Sequence, residues 1–244
     1  MPRQKSAAEI VAIESAQRAT ETAMADVIEY LRTSVAPTSE EAHAIIDRVL
    51  LEHDCDSPEG HIVAGGAQAV EPHERGHGRI NHGEAIVIDI FPRSKTSGYF
   101  ADMTRTVCIG EPSEELQKMY DTVLGAQELA ISMLAPSVAC KSVQVAVEKY
   151  FVEKGYETSG KGKEFSFAEG FVHSIGHGVG REVHEPPYFS KKRDDVLMVG
   201  DVVTVEPGLY YKNIGGVRIE DLLVITEDGH RNLTNFSKNL SVRR

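Results

Sequence analysis

The sequence predicts an α+β fold, and three observations lead to that prediction. Four stretches repeat apolar residues at the three- and four-residue spacing of an amphipathic helix, most of them introduced by a helix-capping pattern. Two other stretches carry apolar runs that end at, or begin after, a carboxylate and fold back across a turn, as β-hairpins do. The order of two helices followed by one carboxylate hairpin occurs twice. This repeat predicts two structural halves related by approximate two-fold symmetry.

Size and composition indicate one compact unit. The chain has 244 residues, of which 41% are hydrophobic and 7% aromatic, an ordinary content for a globular core. Its net charge is −11, and no basic stripe is available to neutralise phosphates. We therefore expect a single domain that has no nucleic-acid partner.

The chain carries no membrane or secretion signal that we can recognise. No segment approaches the ~18 consecutive apolar residues of a transmembrane helix, and the N-terminus lacks the charged-then-apolar pattern of a signal peptide. We expect a cytoplasmic protein with no membrane partner. Cys55, Cys108 and Cys140 are odd in number and widely spaced, which argues against a disulfide framework or a zinc ribbon.

Two helices are predicted near the N-terminus. The Ser6-Ala7-Ala8-Glu9 pattern is a capping box, in which two side chains satisfy free backbone amides at a helix start. Apolar residues then recur at helical spacing as far as Leu31. A second helix is predicted to start at Pro37–Glu41 on the same logic. Its expected buried stripe consists of Ala42, Ile45, Ile46, Val49 and Leu50.

A first β-hairpin is predicted around Lys95, after a short strand near His61–Ala64. Asp89 closes an apolar run, and Asp102 opens a second strand thirteen residues later. With the turn centred near Lys95, the two aspartates would stand nearly opposite one another. Facing Cβ atoms on neighbouring strands lie ~4.5–5.5 Å apart, which is a distance that a metal ion can bridge.

The second half of the chain repeats this order. Helices are predicted from Pro112 to about Leu134 and from about Ser142 to Lys154, and a hairpin follows. Glu206 and Glu220 lie fourteen residues apart across a turn centred on Asn213. The four carboxylates thus form two facing pairs, which is typical of a two-metal hydrolytic site.

A histidine-containing segment lies between the two hairpins. His173 and His177 have the i, i+4 spacing of a helical metal-binding pair. The glycines at positions 176, 178 and 180 make a helix improbable here. The glycines instead allow the backbone to approach a ligand closely. This interpretation leaves His177 as a metal ligand and His184 on the neighbouring stretch, facing the substrate.

These residues, in this order and local context, resemble the methionine aminopeptidase, prolidase and aminopeptidase P superfamily, and its proline-directed branch in particular. The resemblance implies the pita-bread fold, in which two pseudo-two-fold-related helix-helix-hairpin halves surround a curved antiparallel sheet. It covers nearly the whole chain. The phrases that carry it are Asp102-Met-Thr-Arg-Thr, Gly176-His-Gly-Val-Gly, His184-Glu-Pro-Pro, Val205-Glu-Pro-Gly and Gly216-Val-Arg-Ile-Glu-Asp.

The resemblance implies five metal ligands and two divalent ions. Asp89 would chelate one metal, His177 and Glu206 the other, and Asp102 and Glu220 would bridge both. Such oxygen-rich ligation with one imidazole suits hard or borderline ions, so Mn²⁺ is favoured, with Co²⁺, Zn²⁺ or Fe²⁺ as alternatives. Two ions ~3.5–4 Å apart can share a water and generate hydroxide near neutral pH, while one of them polarises the scissile carbonyl.

The same resemblance implies catalytic and substrate-binding roles for three residues. His184 would hydrogen-bond the substrate carbonyl or its oxyanion; the alternative is a histidine in a surface loop. His73 occupies the place of another substrate-binding histidine ahead of the first aspartate, although two further histidines lie nearby. Glu206 would also carry a proton from water to the leaving nitrogen.

Four residues have roles that the sequence leaves open. His173 either lines the pocket beside the metals or is a structural residue. Arg218 either orients a substrate carboxylate or a ligating acid, or is structural. Thr104 and Arg105 lie two and three residues after Asp102, and the threonine shares its strand face and could hydrogen-bond a ligand.

The chain departs from the proline-directed relatives that it resembles. They usually carry a separate N-terminal domain that restricts substrate length and helps to assemble a dimer, whereas this sequence starts at the first catalytic-domain helix. The interval between Asp89 and Asp102 is also longer than in many relatives. We therefore expect a single catalytic domain over residues 1–244, with a homodimer as the candidate assembly.

The favoured function is a metallo-exopeptidase that cleaves between an N-terminal residue and proline, as an Xaa-Pro aminopeptidase or a prolidase-like enzyme does. A methionine aminopeptidase is the nearest alternative, but Ala69–His73 lacks the cysteine- and asparagine-rich phrase associated with that branch. A non-catalytic binding module on the same fold is the other alternative. Such relatives have lost ligand carboxylates, and burying four acids without cations would cost several kcal/mol.

Overall fold

A computed structural model of the chain describes residues 4–158 and 169–243. The helices within these ranges are α1 (Ala7–Thr33), α2 (Ser39–Glu52), α3 (Glu114–Ser132) and α4 (Cys140–Glu153), with a 3₁₀ helix over Gly66–Val70. The strands are β1 (Cys55–Asp56), β2 (His61–Gly65), β3 (Ile86–Ile90), β4 (Arg93–Ser94), β5 (Met103–Ile109), β6 (His177–Gly178), β7 (Glu185–Tyr188), β8 (Val202–Val205), β9 (Gly208–Tyr211), β10 (Gly215–Arg218), β11 (Asp221–Thr226), β12 (Gly229–Asn232) and β13 (Ser241–Val242). This combination confirms the predicted α+β class.

Hydroxyl groups cap three of the four helices, as the sequence predicts. The Ser6 hydroxyl accepts a hydrogen bond from the Glu9 amide, and the Glu9 carboxylate accepts one from the Ser6 amide. Thr38 and Ser113 cap α2 and α3 with their side chains in the same way. Gly155 follows α4 with a φ of +87°, a conformation that glycine adopts readily.

The first hairpin has a register different from the predicted one. β3 lies antiparallel to both β2 and β5, and Asp89 faces Thr104. The amide of Ser94 donates to the carbonyl of Tyr99, so the turn lies one residue further along than a turn centred near Lys95. The prediction that Asp89 and Asp102 face each other is therefore wrong. Asp102 lies two residues before the partner of Asp89, on the same face of the sheet.

The second hairpin has the predicted register. Val205 pairs with Asp221 between β8 and β11, and Gly208 pairs with Arg218 between β9 and β10. Both pairs belong to one continuous register, although a short irregular step separates the two strand pairs. Glu206 consequently lies opposite Glu220, as the turn centred on Asn213 predicts.

Each half of the chain builds its own core, and the second hairpin contributes to both. One cluster of buried residues is built on α1 and α2, and another on α3 and α4. Side chains of β8 and β11 alternate between the clusters, because successive residues of a strand point to opposite faces. Val202, Leu222 and Val224 belong to the first cluster, and Val203, Leu223 and Ile225 belong to the second.

The two halves touch closely where β10 meets the 3₁₀ helix. A Cβ atom added at Gly216 would lie 1.8 Å from the carbonyl oxygen of Ala69, well inside any real contact distance. Only glycine fits between these two backbones. The close approach places the tip of the second hairpin directly against the element that leads into the first.

Two further expectations concern membrane helices and thiols. Across 4–158 and 169–243, the helices are too short or too polar to cross a bilayer. Cys55, Cys108 and Cys140 are buried, and none of the three is part of a disulfide within the described residues.

Candidate metal centre

The predicted metal ligands come together where the two hairpins meet. Asp102, His177 and Glu220 each offer a ligand atom, and these three atoms lie within 4.8 Å of one another. The Nε2 atom of His177 lies 3.3 Å from a carboxylate oxygen of Glu206 and 3.8 Å from one of Asp102. Asp89 is close enough for its charge to raise the pKa of both Asp102 and Glu220.

Burial sets the electrostatics of Asp102 and Glu220. Their side chains are almost fully enclosed, and burial raises the pKa of both carboxyl groups well above the usual range. Repulsion from neighbouring carboxylates raises the pKa further, chiefly from Glu220 in the case of Asp102 and from Glu206 in the case of Glu220. A group of buried acids at this density requires a compensating cation or proton.

Glu206 and His177 form a complementary pair within this group. Burial alone would raise the pKa of Glu206, but the hydrogen bond and charge of His177 lower it to about 2. Burial alone would lower the pKa of His177, but the same contact with Glu206 raises it. A hydrogen bond and opposite charge therefore link His177 and Glu206 directly.

Asp89 has one engaged oxygen and one free oxygen. Its Oδ2 atom accepts a hydrogen bond of 2.7 Å from Nη2 of Arg218, whereas Oδ1 is buried and lacks a hydrogen-bond partner among the described residues. Leaving a buried carboxylate oxygen unsatisfied costs free energy. Because four carboxylates and one imidazole surround this region, the donor set fits hard or borderline divalent ions.

Arg218 connects both hairpins to this group. Besides Asp89, its guanidinium donates from Nε to the hydroxyl of Thr104 over 3.2 Å. That hydroxyl in turn donates to Oε2 of Glu220 over 2.8 Å. Of the alternatives for Arg218, the geometry favours orientation of an acid, and Thr104 hydrogen-bonds an acid as the sequence suggests.

His173 takes part in a partly buried chain of hydrogen bonds through Tyr210. Nδ1 of His173 lies 2.8 Å from the carbonyl of Ser174, and Nε2 lies 2.9 Å from the Tyr210 hydroxyl, which also accepts from Arg218. Burial lowers the pKa of His173 and raises that of Tyr210 to about 12, so both groups are neutral. The sequence reasoning missed Tyr210. Strand alternation from Glu206 would have placed it on the same face.

His184 and His73 lie at the rim. The ring of His184 packs edge-on against that of His177, with centroids 4.3 Å apart, and the residue is otherwise exposed. His73 is exposed as well, and the carbonyl of the preceding Pro72 accepts a hydrogen bond of 3.2 Å from Arg218. Both histidines are therefore next to the buried acids and accessible from outside.

The glycines around His177 serve a purpose other than the predicted one. A Cβ atom at Gly176 would lie 2.1 Å from the carbonyl oxygen of Thr204, and one at Gly178 would lie 2.4 Å from that of Pro186. These glycines allow close approach of the chain's own strands, where the sequence suggested approach to a ligand. Tight packing of this kind fixes the position of His177.

Arg105 lies on the opposite face of β5 from Thr104. Its guanidinium forms an ion pair of 2.9 Å with Asp221, and both side chains are almost completely buried. It also donates to the carbonyl oxygen of Glu220. Arg105 thus holds the backbone next to Glu220 from behind the group of acids.

Comparison with known proteins identifies similar chains. The model of metallopeptidase family M24 matches residues 11–227. The Xaa-Pro dipeptidase of Pyrococcus furiosus is 36% identical over 180 residues, which are 73% of this chain and 48% of that protein. The chain thus spans about half the length of the curated relatives it matches.

Solved structures match over a larger share of this chain. A prolidase from Pyrococcus horikoshii OT3 superposes with a TM-score of 0.88 at 33% identity, covering 98% of this chain and 65% of that one. An X-Pro aminopeptidase from Thermotoga maritima MSB8 superposes with a TM-score of 0.85 at 32% identity, covering 98% and 64% respectively. The shared architecture confirms the expected pita-bread fold.

Proposed function

The chain belongs to metallopeptidase family M24, and on this basis we propose that it is a dinuclear-metal exopeptidase that cleaves between an N-terminal residue and proline. One observation supports the proposal above the others. Asp102, His177 and Glu220 converge with Glu206 and Asp89 close beside them, and a buried oxygen of Asp89 has no hydrogen-bond partner there among the described residues. A divalent cation would satisfy that oxygen and offset the repulsion among the acids.

Five residues would hold the two ions. Asp89 would bind one ion, His177 and Glu206 the other, and Asp102 and Glu220 would bridge both, with Mn²⁺ as the favoured metal. When bound, such a pair supplies an activated shared water that serves as the attacking hydroxide, and it polarises the scissile carbonyl.

Protein side chains would then perform the proton transfer and bind the oxyanion. Glu206 would accept the proton of the attacking water and deliver it to the leaving nitrogen, because its carboxylate is both ionised and at the edge of the group. His184 would donate a hydrogen bond to the substrate carbonyl as negative charge develops on it. Its ring is exposed beside His177 and is therefore accessible from outside.

The remaining predicted substrate contacts fall into two groups. His73 would contact the substrate from the rim, because its ring is exposed and the neighbouring carbonyl is held by Arg218. His173 would offer only its ring edge, since both of its nitrogens have partners. For Arg218 we propose orientation of Asp89 in place of substrate binding, because its donors already reach Asp89, Thr104, Pro72 and Tyr210.

The preference for proline is proposed from the relatives. Three of the similar proteins are named Xaa-Pro dipeptidase, prolidase and X-Pro aminopeptidase. Two of these names specify a proline in the second position, and they include both a dipeptidase and an aminopeptidase. We extend to this chain the bond that is cleaved, and leave the peptide length to measurement.

Peptide hydrolysis tests this proposal. Purified protein is stripped of metal with a chelator, reconstituted with Mn²⁺, and assayed for release of the first residue from Ala-Pro, Ala-Pro-Ala and Met-Ala-Ser. We expect the proline-containing peptides to be cleaved in preference to Met-Ala-Ser, and we expect two divalent ions per chain. Asp102→Ala should lose both the peptidase activity and the bound metal. The control Asp194→Ala alters an exposed acid and should behave as the unaltered protein does.

Three results would contradict the proposal in different ways. A preference for Met-Ala-Ser would assign the chain to the methionine-directed branch. Fewer than one ion per chain after reconstitution, together with no hydrolysis, would favour a binding module. Full activity in Asp102→Ala would refute the assigned ligands.

A further inference from the structure

The orientation of His184 depends on the strand that follows it. His184 precedes β7, which pairs with β6 through Gly178 and Glu185, and the register shifts between His177 and Gly178. The His184 side chain is exposed, and its observed contact is the ring of His177. The position of the imidazole is therefore set by the backbone at Glu185.

Glu185 is held by a lysine near the N-terminus, 180 residues earlier in the chain. Nζ of Lys5 lies 2.5 Å from Oε1 of Glu185, and the Lys5 side chain is only 3% exposed. A lysine is rarely buried to this extent without a counter-charge. The other carboxylate oxygen of Glu185 lies against Gly180, where an added Cβ would come within 2.3 Å of it. The carboxylate is thus held between an ammonium group and the loop backbone.

Lys5 itself is anchored on both sides. Its amide donates to the carbonyl of Gly200 over 2.8 Å, and the next residue, Ser6, caps α1. A contact with the same loop comes from Glu9 in the first turn of that helix. Glu9 accepts a hydrogen bond from the hydroxyl of Tyr99, and the guanidinium of Arg181 lies 5.2 Å from the centroid of the Tyr99 ring. The start of α1 therefore restrains the loop at two places.

We propose that Lys5 is a positioning residue for His184. By fixing the carboxylate of Glu185, it sets the backbone that directs the imidazole of His184 beside His177. The effect on turnover rests on the proposed function, whereas the effect on the loop does not.

The replacement Lys5→Met tests this inference, because it keeps most of the side-chain volume and removes the charge. Hydrogen exchange measured by mass spectrometry should become several-fold faster in residues 179–188 and stay unchanged in residues 202–224. With Ala-Pro-Ala and Mn²⁺, kcat should fall about tenfold with a smaller change in KM, since slight misplacement of a catalytic group lowers the rate. The metal content should stay unchanged, and Lys5→Arg should restore most of the loss.

Lys141→Met is the matched control. Lys141 forms an ion pair of the same length with Asp194, but both side chains are exposed, so neither exchange nor kcat should change. If Lys5→Met leaves exchange in residues 179–188 unaltered, the inference is overturned. It is also overturned if the loop loosens in an active enzyme while kcat is unaffected.

A second variant covers the case in which Lys5→Met fails to fold. Glu185→Gln keeps an acceptor for the ammonium group and removes the opposite charge, so it should give the same changes to a smaller degree. If the unaltered protein cleaves none of Ala-Pro, Ala-Pro-Ala and Met-Ala-Ser, the proposed function fails. The exchange measurement then still decides whether Lys5 holds the loop.

Discussion

The two carboxylate hairpins differ in register, and the difference shows how one site is built from two similar halves. In the second hairpin the two glutamates lie opposite each other, in the step between β8–β11 and β9–β10. In the first hairpin Asp89 faces Thr104, and Asp102 is displaced by two residues. The halves therefore share an order of elements without sharing the geometry of their acids.

The displacement in the first hairpin gives Thr104 a function. The hydroxyl of Thr104 lies between Arg218 and Glu220, both of which belong to the second hairpin. The amide of Glu220 also donates to the Thr104 carbonyl over 3.0 Å. A threonine opposite Asp89 thus joins the hairpins, a contact that a second aspartate at that place would not make in the same way.

The largest expected effect tests whether both hairpins supply ligands despite their different registers. Asp102→Asn and Glu220→Gln should each lower kcat/KM by about a thousandfold or more, because loss of a ligand proposed to bridge both ions would remove several kcal/mol of transition-state stabilisation. Peptide assays combined with metal analysis would measure this. If only one variant lost activity and metal, the hairpin that carries the unaffected acid would supply no essential metal ligand at that position.

A smaller effect is expected from the buried ion pair that joins the hairpins behind the acids. Asp221→Asn leaves the guanidinium of Arg105 buried without its counter-charge, which should lower the free energy of unfolding by about 3–5 kcal/mol. Urea denaturation would measure the loss. Asp56→Asn breaks the exposed pair with Arg93 and should cost no more than about 1 kcal/mol. An equal loss of unfolding free energy in the two variants would contradict the larger contribution assigned to the buried pair.

The link between the hairpins through Thr104 can be removed separately. Thr104→Val keeps the shape of the side chain but leaves Glu220 without its hydroxyl donor, and metal affinity or kcat/KM should fall about 10- to 100-fold. Thr122→Val removes a comparable buried hydroxyl from α3 and should leave both quantities unchanged. An unchanged affinity in Thr104→Val would show that the hairpins are joined by backbone contacts alone.

The smallest effect is a pH dependence that originates beside the first hairpin. His61 on β2 is buried, and burial together with neighbouring His43 lowers its pKa from 6.5 to about 4. The unfolded chain binds a proton first, so the free energy of unfolding should fall by roughly 1–3 kcal/mol as the pH drops from 6.5 towards 4. His61→Gln should flatten this part of the curve in urea denaturation. A slope equal to that of the unaltered protein would contradict this origin.

The sequence predicts local features of this fold well. Capping residues Ser6, Thr38 and Ser113 each start a helix, because their hydroxyls satisfy amides within the next three residues. The second hairpin is predictable because its acids are symmetric about the turn. In the first hairpin, Gly98 has a φ of +73° and lies in the turn. The polar residues around it give no comparably clear turn signal, so the sequence does not fix the centre of this turn.

The candidate site is predictable only in part, for a physical reason. Acids and His177 can be recognised by type and local phrase, whereas their partners come from distant segments. Tyr210 touches His173, which lies 37 residues before it in the chain, and Lys5 meets Glu185 from a point 180 residues away. Strand alternation places Tyr210 on the face of Glu206, but it carries no information about which distant side chain either residue will meet.

The contact of Gly216 with the carbonyl of Ala69 has a consequence for the variation that the chain can tolerate. A methyl group at Gly216 would lie 1.8 Å from the carbonyl oxygen of Ala69, whereas real Cβ atoms essentially never come within 3.0 Å of a neighbouring heavy atom. Even alanine would therefore require the two backbones to separate. Any such separation would move Arg218, two residues along the same strand, away from Asp89. Gly216→Ala, a change at a buried position, should thus impair hydrolysis although it replaces no polar side chain.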